Sequence, residues 1–238
     1  MSARAKLHNL SEIYTFFSKS RLPVFFVHPT PYNVLGLGLW VRSFKYISHF
    51  DSFDGTHHRV TVPRFPGDRT FSSKEDIVNY LLSHPDTHQL IQSLGGRGKM
   101  LTVMFDEQTE HLAQKVGLEI ALPPADLRMR LDSKIVTTQL ANDAGVATVP
   151  NVLGLASSYP ELVKLCQENG LGDDTVVQTP YGDSGQTTFF IKDESGWNRC
   201  ARQLVDQPLK IMKRIDHIPY TLEAVATRHG TLVGPVLA

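Results

Sequence analysis

Cysteine is scarce in this sequence, with Cys166 and Cys200 alone among 238 residues. That excludes a disulfide-stapled secreted scaffold. Each cysteine lies in a stretch that reads as an amphipathic helix, where a lone thiol packs as a small apolar group, so reduced thiols and a cytoplasmic protein are expected. Charge of one sign is lacking too, since 24 Lys and Arg face 24 Asp and Glu. No global field draws the chain onto nucleic acid or an anionic membrane, and neither is an expected partner. No apolar run approaches the roughly 20 residues needed to cross a bilayer. The N-terminal stretch has Arg4 and Lys6 but no continuous apolar segment or small-residue cleavage site.

What is present is an ordinary globular balance, 41% apolar and 20% charged, in a chain long enough for two domains. Residues 9–17 space Leu10, Ile13, Tyr14 and Phe17 as one helical face. The run Pro23-Val-Phe-Phe-Val27 reads as a strand covered on both sides. Residues 59–62 read as a strand and residues 74–82 and 86–94 as helices. A stronger unit follows: a buried strand over 99–105, Asp106 as N-cap, a helix over 107–116 closed by Gly117, and a strand over 118–122. This alternation predicts a doubly wound α/β domain.

Pro123-Pro124 can neither donate to a ladder nor continue a helix, so the expected division lies there, giving domains 1–122 and 123–238. The second half is expected to be α+β. Helices are predicted over 131–144, 159–169 and 197–205. Extended segments are predicted over 146–152, 175–179, 187–191, 209–215, 220–227 and 231–237. The last strand runs into Ala238 without a turn or polar tail, and the expectation is a chain cut inside a strand.

The chemistry concentrates in Val176-Val-Gln-Thr-Pro-Tyr-Gly182-Asp-Ser-Gly185-Gln-Thr-Thr-Phe-Phe-Ile191, where two glycines, an acid and a hydroxyl lie between two β runs. Such a loop can turn tightly and aim backbone N–H groups and the Ser184 hydroxyl at an anion, of which phosphate is the natural one. An ordinary hairpin loop has the same composition. Gly182-Asp-Ser-Gly185 also matches the serine motif of trypsin-like proteases, but those are all-β and disulfide-linked. A P-loop is excluded because Gln186 follows Gly185 where a lysine is needed. Gly36-Leu-Gly38 lacks the third glycine of a dinucleotide fingerprint. His84 and His88 are four apart, but Pro85 starts a helix between them, so they read as surface histidines rather than metal ligands.

In order, the helix Leu131-Asp-Ser-Lys134 to Val146, Pro150, the glycine loop, Lys210-Ile-Met-Lys213-Arg-Ile215 and Thr221-Leu-Glu223 resemble the ATP-grasp superfamily, especially its biotin-carboxylase-like carboxylate–amine ligases. The resemblance covers roughly residues 123–238, and the α/β half before them is similar to the Rossmann-like domain that precedes the ATP-grasp domain in such enzymes. It implies ATP as cofactor, with Lys134 reaching phosphate. Gly182, Asp183, Ser184, Gly185 and Thr187 would form the loop over the triphosphate. Lys213, Arg214 and Ile215 would be the adenine-recognising strand, and Glu223 would face ribose or phosphates. Gln178 stands where many members carry a second phosphate lysine, and an amide cannot neutralise charge. Met212 stands where a carboxylate often precedes the adenine-site lysine. The family's Mg²⁺-binding acids fall beyond residue 238, so no metal ligand is assigned. The implied partners are nucleotide, a small carboxylate and an amine or other nucleophile, and a homodimer is compatible with the resemblance. A non-catalytic nucleotide-sensing module of the same architecture is the alternative.

Overall fold

A computed structural model describes residues 7–31, 36–52, 57–65, 67, 69–182 and 185–237. The chain divides into two compact units between Arg130 and Leu131.

The first unit is built on a parallel sheet. Its strands are β1 (Val24–His28), β2 (Phe44–Ser48), β3 (Val60–Thr61), β4 (Gly98–Leu101) and β5 (Leu118–Ile120), in the spatial order β3-β2-β1-β4-β5. Around it lie α1 (Leu10–Lys19), α2 (Leu37–Trp40), α3 (Lys74–Ser83), α4 (Pro85–Ser93), α5 (Glu107–Lys115) and α6 (Ala125–Asp132). Both faces of β1 are filled, as its continuous apolar run requires. Phe25 and Val27 join Ile47, Met100, Leu81 and Ile91 in one core, while Phe26 packs with Phe44 and Tyr46 in another. Strand β2 is not legible in the sequence because Lys45 interrupts its apolar run; parallel pairing with β1 and β3 gives it a place.

Helix α5 starts where Asp106 predicts. Its carboxylate accepts from the Thr109 N–H at 2.8 Å, the Thr109 hydroxyl returns to the Asp106 N–H at 3.2 Å, and Asn79 donates to the same carboxylate at 3.1 Å. Burial pushes the Asp106 carboxyl up, but these hydrogen bonds outweigh it and hold the group below the usual aspartate value. Gly117 closes the helix at φ 84°, and a Cβ there would stand 2.2 Å from the Gly96 carbonyl oxygen.

Two expectations need amending. The β4 strand ends at Leu101, and residues 102–105 turn away, with the Thr102 hydroxyl donating to the Met104 carbonyl and Phe105 buried. The proline pair starts a helix rather than separating domains. The Ala125 N–H donates to Glu110 Oε1 at 2.8 Å, and Arg128 pairs with Glu75 at 3.1 Å and donates to the Phe105 carbonyl. These bonds tie the start of α6 to the first unit. Prolines preceding a first helical turn cost no hydrogen bond there.

The second unit contains α7 (Lys134–Asp143), β6 (Asn151–Gly154), α8 (Tyr159–Glu168), β7 (Thr175–Gln178), β8 (Thr188–Ile191), α9 (Glu194–Leu204) and β9 (Leu209–Lys213). Its strands form an antiparallel sheet in the order β6-β9-β7-β8. Leu162 and Cys166 of α8 and Trp197, Cys200 and Leu204 of α9 pack on Val177, Ile191, Leu209 and Ile211, so one face of the sheet is core. Both cysteines are free and buried within their helices. Strands β10 (Thr221–Thr227) and β11 (Gly230–Leu237) make a separate antiparallel ribbon, exposed along nearly its whole length.

Candidate nucleotide site

The face of the four-stranded sheet opposite α8 and α9 is set by strand alternation. With Val152, Val177, Leu209 and Ile211 facing the core, their neighbours point the other way. Register then lines them up in rows across the strands. One row runs Leu153, Lys210, Gln178, Thr188, and the next runs Asn151, Met212, Val176, Phe190. Within the first row the Gln178 amide donates to the Thr188 hydroxyl at 3.0 Å. The face is therefore apolar in one row, apart from Asn151, and polar in the other, apart from Leu153.

The glycine loop leaves this sheet at the polar row. The Thr179 N–H donates to the Thr187 carbonyl at 3.3 Å, the Thr188 N–H to the Gly185 carbonyl at 3.1 Å, and the Thr179 hydroxyl to the Tyr181 carbonyl at 2.9 Å. Gly182 lies at φ 141° and Gly185 at φ 78°, conformations that side chains disfavour. At Gly182 a second constraint applies, because a Cβ would stand 2.2 Å from the Thr187 hydroxyl oxygen. That oxygen is itself shielded from solvent and has no hydrogen-bond partner among the described residues. Asp183 and Ser184, the acid and hydroxyl expected in the loop, lie outside the described residues.

Helix α7 delivers Lys134 to the same place. Ser133 is its N-cap, accepting from the Val136 N–H at 3.4 Å, so the helix begins at Lys134 rather than at Leu131, which belongs to α6. The Lys134 N–H donates to the Pro180 carbonyl at 2.8 Å and its ammonium to the Gly182 carbonyl at 2.7 Å. Helix start and loop are thus joined across 48 positions of sequence.

A second cation lies at this face: Lys210, which opens the 210–215 segment of the resemblance but received no role from the sequence. Burial, reinforced by the Lys134 charge, holds the Lys210 ammonium below the usual lysine value. Among the described residues, no carboxylate stands within ion-pairing distance of either lysine. Alternation of Leu209, Ile211 against Lys210, Met212 was the available signal, but only the register opposite Gln178 gives it meaning.

The other expected residues fall apart from the loop. Lys213 ends β9 and its N–H is committed to the Pro150 carbonyl at 3.0 Å. The Arg214 N–H donates to the Asp174 carbonyl, its guanidinium pairs with the Asp174 carboxylate at 3.6 Å, and the same group lies 5.2 Å over the Phe190 ring. The Ile215 carbonyl is engaged by His217 Nδ1 at 3.0 Å. Glu223 is an exposed residue of the separate ribbon. His84 caps α4 through Nδ1, accepting from the Asp86 N–H, and His88 bonds the Leu82 carbonyl; neither faces a metal cluster among the described residues.

No protein-family model matches the sequence, and no curated protein matches it. Solved structures do match the fold. Carboxyaminoimidazole ribonucleotide synthase from Aspergillus clavatus, complexed with ATP, superposes with a TM-score of 0.55 at 14% identity, covering 90% of this chain and 53% of that one. Phosphoribosylamine–glycine ligase from Thermotoga maritima gives 0.56 at 10% identity over 90% and 49%. The biotin carboxylase domain of Hydrogenobacter thermophilus 2-oxoglutarate carboxylase, with MgADP and bicarbonate, gives 0.53 at 13% over 82% and 44%. The chain spans about half the length of these structures. No helix among the described residues is long and apolar enough to cross a membrane. The parallel sheet followed by the antiparallel sheet is thus the fold of these synthases, ligases and carboxylases, over about half of their length.

Proposed function

We propose that the open face of the second unit binds ATP as part of an ATP-dependent carboxylate–amine ligase. The observation that carries this reading is the Lys134 ammonium on the Gly182 carbonyl, which brings a mobile cation to a loop built for close backbone approach. The shielded Thr187 hydroxyl and the carbonyl-held lysine are groups that a phosphate would satisfy or recruit. Val176, Met212 and Leu153 offer an apolar floor for a base. In this reading ATP supplies a phosphoryl group to a carboxylate or bicarbonate oxygen, ADP leaves, and an amine displaces phosphate from the acyl carbon. The chain's own contribution is positioning and charge neutralisation. Lys134 would hold phosphate oxygens, and Gly182 with Gly185 would let the backbone approach them.

Magnesium does not fit the described residues alone, among which no group of three acidic, His or Cys side chains converges. The ligase reading therefore assigns the metal and the acceptor pocket to the half of the fold that the matched structures have and this chain does not span. Binding without turnover by this chain alone is the expected state, in a cytoplasmic setting consistent with its two free thiols.

Gln178 in place of a lysine favours a second reading, a nucleotide-sensing module without turnover. Isothermal titration with MgATP tests both: saturable binding, tighter than for AMP, is expected, and no binding overturns both. ADP release in the presence of carboxylate and amine, once a polypeptide carrying the other half of the fold is added, selects the ligase.

A further inference from the structure

We propose that Lys210 is the second phosphate-binding cation of this site, supplying from β9 the charge that Gln178 cannot supply from β7. The inference rests on the nucleotide reading and extends it to a residue that the family resemblance did not assign.

The geometry is a cross-strand exchange. Gln178 and Lys210 are direct register partners in antiparallel strands, so their side chains emerge side by side on the same face. On the far side of Gln178 the same row carries Thr188, to which the Gln178 amide donates, leaving that amide committed along the sheet. The Lys210 neighbour on the other side is Leu153, which offers no counter-charge. Helix α7, whose first residue is Lys134, packs against β9. The polar end of the open face therefore presents two lysines from different elements, with no carboxylate ion-paired to either among the described residues, beside the loop whose Gly182 carbonyl holds the Lys134 ammonium.

Such an arrangement is unfavourable without an anion. A half-buried ammonium is poorly hydrated, and a like charge nearby disfavours its protonated form. A polyanion between the lysines adds an attraction to each ammonium that opposes both effects and favours the charged form. A polyphosphate chain is the ligand class that matches two cations from separate elements, because its charges are spread over several oxygens. Lysine rather than arginine suits the task, as a compact point charge that tolerates several phosphate geometries.

The test uses the full chain with inorganic tripolyphosphate, MgATP and AMP as titrants. Lys210→Met, which keeps the apolar stem, is expected to weaken tripolyphosphate and MgATP binding roughly tenfold to a hundredfold while changing AMP less. Lys210→Arg is expected to retain most of the affinity, and Lys164→Met, on the exposed side of α8, all of it. The transposed pair Gln178→Lys with Lys210→Gln is expected to restore what Lys210→Met loses. If the wild type binds MgATP and Lys210→Met binds it equally well, Lys210 is not a phosphate ligand although the nucleotide reading stands. If the wild type binds neither MgATP nor tripolyphosphate, both fall. A readout independent of any variant's folding is the ¹³Cε resonance of Lys210 in the wild type: its titration midpoint is expected to rise when tripolyphosphate saturates the chain, and an unmoved midpoint overturns the proposal.

Discussion

Strand β1 of the first unit and strand β9 of the second are both interior strands, yet they are finished differently. On β1 consecutive residues Phe25 and Phe26 are both buried, each in its own core. On β9 Ile211 is buried while Lys210 and Met212 remain partly open. A sheet with both faces filled spends its side chains on stability. A sheet with one face left open keeps a row of side chains for a ligand, and the residues found there, two of them polar beside a lysine, are poor choices for a core.

The sharpest way to break this comparison is truncation on each face. Phe25→Ala and Phe26→Ala are each expected to cost about 3–5 kcal/mol in denaturant unfolding, because both leave cavities. A clear inequality between them would mean that one face of β1 is not core. On β9 the faces should diverge: Ile211→Ala about 2–5 kcal/mol, and Met212→Ala close to the ~0.5 kcal/mol typical of surface changes. Equal losses would show the second face to be packed as well.

A smaller effect is expected at the α5 cap. Asp106→Asn should lose about 1 kcal/mol at neutral pH. Because the folded carboxyl titrates below its unfolded value, the stabilisation is present above the unfolded aspartate value and is lost as pH falls through the folded one. Thermal unfolding of the two proteins should therefore converge in acid; a gap that widens in acid would contradict the assignment. Comparable in stability is Gly182→Ala, expected to cost about 1 kcal/mol through its positive φ and the collision with Thr187. Its larger signature is in binding, where the loop no longer fits: MgATP affinity should fall in a titration calorimeter while the Ile211 core is untouched.

The first unit was legible where local signals were complete. Asp106 and Gly117 bracket α5 in sequence as in space, and the apolar run of β1 declares its burial. What escaped is non-local. Strand β2 carries a lysine and is defined by its partners, and α6 hides behind two prolines that read equally well as a break. At the site, Lys134 and the glycine loop were visible as types and order. Their junction through the Gly182 carbonyl, and the standing of Lys210 beside Gln178, depend on a strand register that no single segment encodes.

Mapping by amide NMR on the ¹⁵N-labelled chain titrated with MgATP tests the central claim most directly. Open-face occupancy predicts shifts concentrated at Lys134, Gln178, Gly182, Gly185, Thr188 and Lys210, with Leu162, Trp197 and Cys200 on the covered side unmoved. Shifts confined to the first unit or to the β10–β11 ribbon, or no shifts at all, would contradict it.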